Sequence, residues 1–536
     1  MSRSSYAVTG IDCKTVRQFE DVMSLAGGKG RWQLMFFFWM LLIITTMGYN
    51  TMSMAFMEET PEFLCADGHH ENATFASLSE GGAERCRAPD GQPCRRWVYD
   101  PEFTGSSVVT QWDLVCERLP LLSTVQSMLQ FGGLVGSLAA GFFADKVGRG
   151  PVQHVTMAVY IVGALLSALP YSYELMLVAR FIMGVGLSGN LSNCSVMLIE
   201  FVAMEWRVWT GQLLTAPLPL GEILLVAVAY KLRVWWHLQL ALAAPMLIFV
   251  LNFWLTLESP RWLFVQGRDA EVVQVLATIA RVNGRELPEE PQMKKLLEDV
   301  RRHELADGDT ATEGSQLWRS LLLRRWMLVT CFCWATFNAS YYGLSFDVTQ
   351  LSKSHYLAGL LSGLVGLPGS FLAPLVNRFG RRPITCISYI LAGTCTLLVL
   401  INDDATLLLV AGLAGKFFIS AAQSVLNFYT PEYLPTSTRA IGFGLAEVSS
   451  RVGAMVSPYI VDLAGQLHHK APSMTFGVWS LLAGVATLLL PETTGRQLPE
   501  TVAQVEAGIL DRPESDLTAP TQPGSKKIVD KSGDVC

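Results

Sequence analysis

The chain runs to 536 residues, 51% of them hydrophobic and only 16% charged, with a mean hydropathy of +0.34. Soluble domains carry about a quarter charged residues, so the composition points to a membrane protein. The formal net charge of -6 and the pI near 5.8 leave no basic footprint for nucleic acid, and that class of partner drops out.

A helix needs about 20 apolar residues to cross a bilayer. Such stretches recur twelve times, at 32–57, 121–144, 152–170, 174–198, 210–230, 235–257, 326–347, 355–376, 384–401, 406–429, 439–461 and 472–490. The first begins at Trp32 after a polar start and meets no small-residue cleavage pattern before Glu58, so it reads as a span and not as a cleaved leader. The longest internal polar stretch, 258–325, mixes acids with bases, holds helix-like runs at 270–280 and 293–305, and divides the spans six and six. The expected organisation is a segment 1–31, a six-helix unit 32–257 carrying a polar loop 58–120, the central loop 258–325, a second six-helix unit 326–490 and a tail 491–536. That tail turns acidic and Pro-containing after Asp511 and reads as disordered.

Basic residues orient the spans. Lys146, Arg149, Arg207, Arg378, Arg381, Arg382 and Arg439 fall in the short loops after spans two, four, eight and ten, against Lys231, Arg233, Lys353 and Lys470 on the other side. Positive residues stay inside, which predicts a multi-pass plasma-membrane protein with both termini cytoplasmic. Loop 58–120 is then exported, and its Cys65, Cys86, Cys94 and Cys116 predict two disulfides whose pairing stays open. Asn72-Ala73-Thr74 in that loop is the expected glycosylation site, because the matches at Asn190, Asn193 and Asn338 fall inside spans. The remaining cysteines, Cys331 and Cys333 among them, fit no zinc spacing, and no metal is expected.

The two halves repeat their motifs. Ala144-Asp145-Lys146-Val147-Gly148-Arg149-Gly150-Pro151 is answered 232 residues on by Val376-Asn377-Arg378-Phe379-Gly380-Arg381-Arg382-Pro383. Glu200 and Arg207 are answered by Glu432 and Arg439 at the same offset, and Glu258-Ser259-Pro260-Arg261 by Glu492-Thr493-Thr494-Gly495-Arg496 at 234. Parallel repeats about an axis along the membrane normal produce this pattern and place the substrate between the halves near mid-membrane. Asp145, Arg149, Glu200, Arg207, Glu258, Arg261, Arg381, Glu432, Arg439 and Glu492 are the candidate gating residues, since acids at helix ends and neighbouring arginines can hold the inner side closed and release it as the halves rock. Static anchoring of the loops is the competing reading. In span two, Gly132, Gly136, Ala140 and Ala144 form a small-xxx-small ridge for close helix packing.

These motifs resemble the organic cation, anion and zwitterion transporter family of the major facilitator superfamily, from Thr60-Pro61 to about Leu498. The specific pieces are Gln111-Trp112-Asp113-Leu114-Val115-Cys116, Glu258-Ser259-Pro260-Arg261-Trp262-Leu263 and Tyr341-Tyr342-Gly343-Leu344-Ser345, together with the four-cysteine loop. The resemblance implies an all-α polytopic protein of the major-facilitator fold, twelve transmembrane helices in two six-helix bundles, working by alternating access.

Charges inside spans are expensive and therefore functional candidates. Arg451, in span eleven, matches a position that resembles a charge selector in the family, arginine in anion and carnitine-type carriers, and its guanidinium fork suits a carboxylate. Glu447 lies one turn before it and can instead neutralise it as an i, i+4 pair. In span seven Trp334, Asn338, Tyr341 and Ser345 share one face; Trp334 and Tyr341 match cavity-lining aromatics of the family, Tyr342 adjoins them, and such faces hold ammonium groups by cation–π attraction, with interhelical packing as the alternative. Asp347 resembles an acid of carnitine-type members, whereas Gly366 stands where the family carries an acid and Ser370 where some anion carriers place a lysine. Glu222, beside Pro217, Pro219 and Gly221, can bind a cation or a proton or bond a neighbouring helix; Gln126 and Gln130 can face the cavity or pack. Arg233-Val234-Trp235-Trp236 departs from the family's charged pattern.

Ala414-Gly415-Lys416 is no phosphate loop, and no nucleophile triad appears, so neither an ATP-driven pump nor an enzyme is expected. The expected activity is transport of a small organic ion, a carboxylate-bearing anion or a carnitine- or betaine-like zwitterion, without a cofactor and with sodium or proton coupling left open. An organic cation carrier, or a transport-inactive surface receptor of the same fold motivated by Gly366, Glu222, Glu447 and Trp236, is the alternative.

Overall fold

A computed structural model describes residues 18–68, 74–80, 83–101, 105–169, 171–202, 216–307, 316–351, 354–369, 378–401, 404–436, 438–468, 470–496, 498–499 and 501–508. Twelve rods organise it: α1 (Arg31–Met52), α2 (Leu119–Val147), α3 (Arg149–Leu166), α4 (Tyr173–Phe201), α5 (Pro217–Lys231), α6 (Trp235–Ala243, running on through Ala244–Leu251 and Asn252–Leu255), α7 (Leu321–Leu351), α8 (His355–Gly369), α9 (Arg381–Leu397), α10 (Ala405–Tyr433), α11 (Arg439–Tyr459, continued by a wider π turn Ile460–Ala464) and α12 (Ala471–Thr487).

Six of the described helical stretches are by themselves long and apolar enough to cross a membrane. Physical reasons separate the others from them. α11 carries Arg439, Glu447 and Arg451, α7 begins with Arg324 and Arg325, and α12 is 17 residues long. A helix that lines a polar chamber loses hydropathy on that face. The opposite faces are greasy and exposed, as at Leu34, Met35 and Phe38 of α1, Val155 and Val162 of α3, and Leu482 and Val485 of α12. A water-soluble monomer does not present so much apolar surface, and lipid covers it.

Packing repeats between the halves. α1 lies on α5 as α7 lies on α11, α2 on α4 as α8 on α10, and α3 on α4 and α6 as α9 on α10 and α12. The small-residue ridge of α2 meets α4 at backbone distance: a Cβ on Gly132 would stand 2.1 Å from the carbonyl oxygen of Phe181, and one on Gly136 2.1 Å from that of Val185. Only glycine allows two helices to approach so closely.

The halves meet along α2 with α11 and α5 with α8. At one end they share a single apolar core, in which Met54, Leu122, Val125 and Leu238 of the first half join Ala339, Phe346, Val461 and Phe476 of the second. Cys65, Cys94 and Trp97 belong to the same core, so it marks the disulfide end of the molecule. There Ser123 Oγ donates to Asp462 Oδ2 at 2.6 Å, the Thr124 and Tyr459 hydroxyls lie 2.9 Å apart, and Phe56 stacks on Tyr356.

Beyond the shared core, β1 (Phe63–Cys65) pairs antiparallel with β2 (Trp97–Tyr99), and the disulfides are Cys65–Cys94 and Cys86–Cys116. The sequence left that pairing open. At the opposite end, helices Asp269–Asn283 and Glu290–Asp307 cover the two helix-like runs of the central loop and pack their apolar faces onto the first half, with Val272, Leu276, Leu297 and Val300 in one cluster with Trp32 and Phe201.

Candidate functional site

The repeated motifs build two matching devices at the end opposite the disulfides. Gly148 and Gly380 turn the chain at φ 115° and 94°, conformations that L side chains avoid, and a helix starts at the next residue each time. The open N–H groups of that first turn are capped by an acid from far along the chain. Glu258 Oε1 accepts from the backbone N–H of Arg149 (2.8 Å) and Gly150 (3.1 Å). Glu492 accepts from Arg381 (3.0 Å) and Arg382 (3.2 Å) in the same way. A carboxylate at a helix N-terminus satisfies both the hydrogen bonds and the dipole.

The arginine of each motif turns back to a third acid of its own half. Arg149 Nε lies 3.4 Å from Glu200 and its Nη1 3.0 Å from Asp145, while Arg381 Nε lies 3.0 Å from Glu432 and its Nη2 donates to Glu432 at 3.1 Å. Arg261 pairs with Glu20, and Arg439 donates to the Leu434 carbonyl. Arg207 lies outside the described residues. Among the described residues the networks tie each half together and do not bridge the two.

Between the halves, at mid-depth, is a small chamber of about 70 Å³ lined by Gly48, Thr51, Pro219 and Glu222 of the first half and Asn338, Tyr341, Tyr342 and Gln423 of the second. Its wall holds an ion pair. Lys416 Nζ of α10 donates to both carboxylate oxygens of Glu222 on α5, at 2.9 and 3.0 Å, and also bonds Ser362 of α8, whose hydroxyl donates to Glu222 at 2.7 Å. The ammonium stands 4.7 Å from the centroid of the Tyr341 ring. Both charged side chains are buried, 1% and 5% exposed. Lys416 lies eleven residues, roughly 17 Å at 1.5 Å per residue, into α10, about midway through a bilayer core of roughly 30 Å.

Arg451 is half-buried on α11 and is not among the residues lining the chamber. Its charge acts on Tyr342, which shares a hydrogen bond with Gln130 of α2 and meets Tyr341 edge to face at 5.7 Å. Among the described residues it makes no ion pair with Glu447, and its buried Nε has no hydrogen-bond partner. Asn338 Nδ2 donates to Ser450, the neighbour of Arg451, at 2.6 Å.

A sequence-family profile described as "Sugar (and other) transporter" matches residues 107–504. Solute carrier family 22 member 20 of Mus musculus is 32% identical over 531 residues, covering 91% of this chain and 94% of that protein. The chain belongs to solute carrier family 22. An "Organic cation transporter protein" of Drosophila melanogaster is 29% identical over the same shares of both chains. The xylose transporter XylE of E. coli superposes with a TM-score of 0.60 at 14% identity, over 86% of this chain and all of that one, and shows the major-facilitator fold. This solute carrier 22 protein is therefore an organic-ion transporter and not an enzyme.

The residues singled out by sequence divide into three groups. Tyr341, Tyr342, Asn338 and Glu222 come together at the chamber. Trp334 does not line it: the side chain is 2% exposed, donates to Thr430 at 3.0 Å and packs edge to face on Phe443, which is the packing alternative for that residue. Gln126 lies nearer the disulfide end, in a tight crevice with Glu58, Phe346 and Asp462. Asn72 and the side chain of Asp347 lie outside the described residues. Sequence reasoning passed over Lys416, treating it only as part of a failed phosphate loop, although a lysine in the apolar run 406–429 was signal enough. Arg180 was passed over likewise; it is fully buried in α4, donating to Ser53 at 3.1 Å.

Proposed function

We propose that this transporter carries a carboxylate-bearing organic anion or zwitterion across the plasma membrane by alternating access, with Arg451 receiving the carboxylate. One observation supports this above the rest: Arg451 stands at mid-depth beside Tyr342 with a buried Nε that has no hydrogen-bond partner, and without the pairing to Glu447 that would cancel its charge. A guanidinium in a low-dielectric wall binds a planar carboxylate through two parallel N–H bonds, and few other groups satisfy it there. Tyr341 and Tyr342 offer π faces for an attached ammonium group.

In this reading the disulfide end faces outward, Asn72 carries a glycan and both termini are cytoplasmic. The shared core at the disulfide end then closes the outer side, and the capping networks stiffen each half as it rocks. No cofactor is required; sodium and proton dependence are measured with the same assay. That assay is uptake of labelled carnitine and hippurate into cells expressing the chain, with Arg451→Ala and Arg451→Lys compared at equal surface level. Loss of carboxylate uptake in Arg451→Ala, with partial return in Arg451→Lys, is expected. Wild-type uptake by Arg451→Ala would remove the selector role.

A further inference from the structure

The pair Glu222–Lys416 joins the two moving halves at the wall of the transport chamber, and the mechanism above does not use it. Glu222 belongs to α5 of the first half, while Lys416, Ser362 and Tyr341 belong to the second. The chamber it borders has about 70 Å³, far below the roughly 300 Å³ at which ligand pockets begin. An organic ion therefore enters only if this wall yields, and Glu222 is part of the wall. Parting the pair without replacement would leave two bare charges at bilayer depth.

We infer that Glu222 and Lys416 form a substrate-exchangeable ion pair, so that a molecule bearing one positive and one negative group replaces each partner for the other. Its cationic group takes Glu222 and the face of Tyr341, where the Lys416 ammonium now stands. Its carboxylate takes Lys416, with Arg451 near enough for its charge to act on Tyr342 in the chamber wall. A simple anion would leave Glu222 unmatched, and a simple cation would leave Lys416 unmatched. The pair thus sets a charge rule: the substrate must be a zwitterion, and singly charged molecules are discriminated against by the protein's own unpaired group. The inference rests on the carboxylate reading of Arg451 and narrows it.

The test uses full-length protein in cells, with carnitine as zwitterion, hippurate as monoanion and choline as monocation, surface level being read by labelling an external tag. Wild type is expected to prefer carnitine to both. The neutral double variant Glu222→Gln/Lys416→Met removes both charges together, and the carnitine-to-hippurate uptake ratio is expected to fall about tenfold or more. The exchanged variant Glu222→Lys/Lys416→Glu restores a pair but inverts the sites, and the ratio is expected to stay low. A ratio within twofold of wild type in the neutral variant, or its recovery in the exchanged one, would show a static strut and overturn the inference. Hippurate uptake that depends on Arg451 with no change of ratio removes this inference alone. Failure of both carboxylates to enter removes the carboxylate reading and this inference with it.

Discussion

Neutralising the chamber pair one side at a time separates its partners by stability before any substrate is added. Lys416→Met takes both contacts of 2.9 and 3.0 Å from Glu222 and leaves a buried carboxylate with only the Ser362 hydroxyl, at 2.7 Å. Breaking a buried pair from one side costs about 3–5 kcal/mol. Glu222→Gln is milder, because the amide oxygen still accepts from Lys416 and the ammonium keeps Ser362 and the Tyr341 face. A desolvated cation–π contact contributes about 2 kcal/mol, which lowers the cost of that variant to about 1–3 kcal/mol. With both changes no charge is left unpaired, and the double variant should lie within about 1 kcal/mol of wild type. The expected order is therefore Lys416→Met worst, Glu222→Gln intermediate and the double nearly normal, with each 1.4 kcal/mol a factor of about ten in the folded population. Detergent-solubilised thermal unfolding and surface expression read it. Additive losses in the double variant, or a Lys416→Met protein as stable as wild type, would show that the two side chains do not hold each other.

Other consequences follow from the same geometry. Gly136→Val forces a side chain against the Val185 carbonyl and should abolish surface expression, whereas Gly141→Val, with nothing within 4 Å of its Cβ, should be tolerated. Glu258→Gln weakens three backbone bonds, from Arg149, Gly150 and Ser259, and should cost about 1–2 kcal/mol in a thermal melt. Burial pushes the Glu492 carboxyl up, but hydrogen bonds from Thr494, Arg381 and Thr493 outweigh it and hold the group below its ordinary range. A depressed folded-state pKa contributes stability above the unfolded value and loses it as pH falls through the folded one. The melting advantage of wild type over Glu492→Gln should therefore persist at neutral pH and shrink as pH drops below about 4. Cys86→Ser should free Cys116 to label with an impermeant thiol reagent in intact cells if the disulfide end faces outward.

Periodicity made the scaffold legible. The offsets of 232 and 234 residues located the capping sets before their geometry was visible, because a device needed twice leaves the same residues at nearly the same places twice. The α2 ridge was readable for a similar reason, since close backbone approach needs small residues at every fourth position. Contacts between distant helices were not readable. Nothing local distinguishes Trp334, which packs on Phe443, from Tyr341 two turns along the same face, which borders the chamber. Arg451 and Glu447 have the spacing of an ion pair without forming one, because i, i+4 spacing permits such a pair but does not fix the side-chain rotamers that make it. Lys416 became meaningful only when Glu222, 194 residues away in sequence, appeared opposite it.

Symmetry sets the proposed specificity residues apart from the repeated ones. Shifted by the same 232 residues, Glu222 corresponds to Ala454, Arg451 to Pro219 and Lys416 to Gly184, so each of these three charges meets an uncharged partner in the other half. The capping residues behave oppositely, with Arg149, Glu200 and Glu258 answered by Arg381, Glu432 and Glu492 in matching geometry. A part that shapes and stiffens a rocking half is required in both halves and is kept in both. A part that reads the charge of one asymmetric substrate is required once. The substitutions most able to change what is carried are therefore expected at Glu222, Lys416 and Arg451, and the repeated residues should change how fast the halves move while leaving the choice of cargo intact.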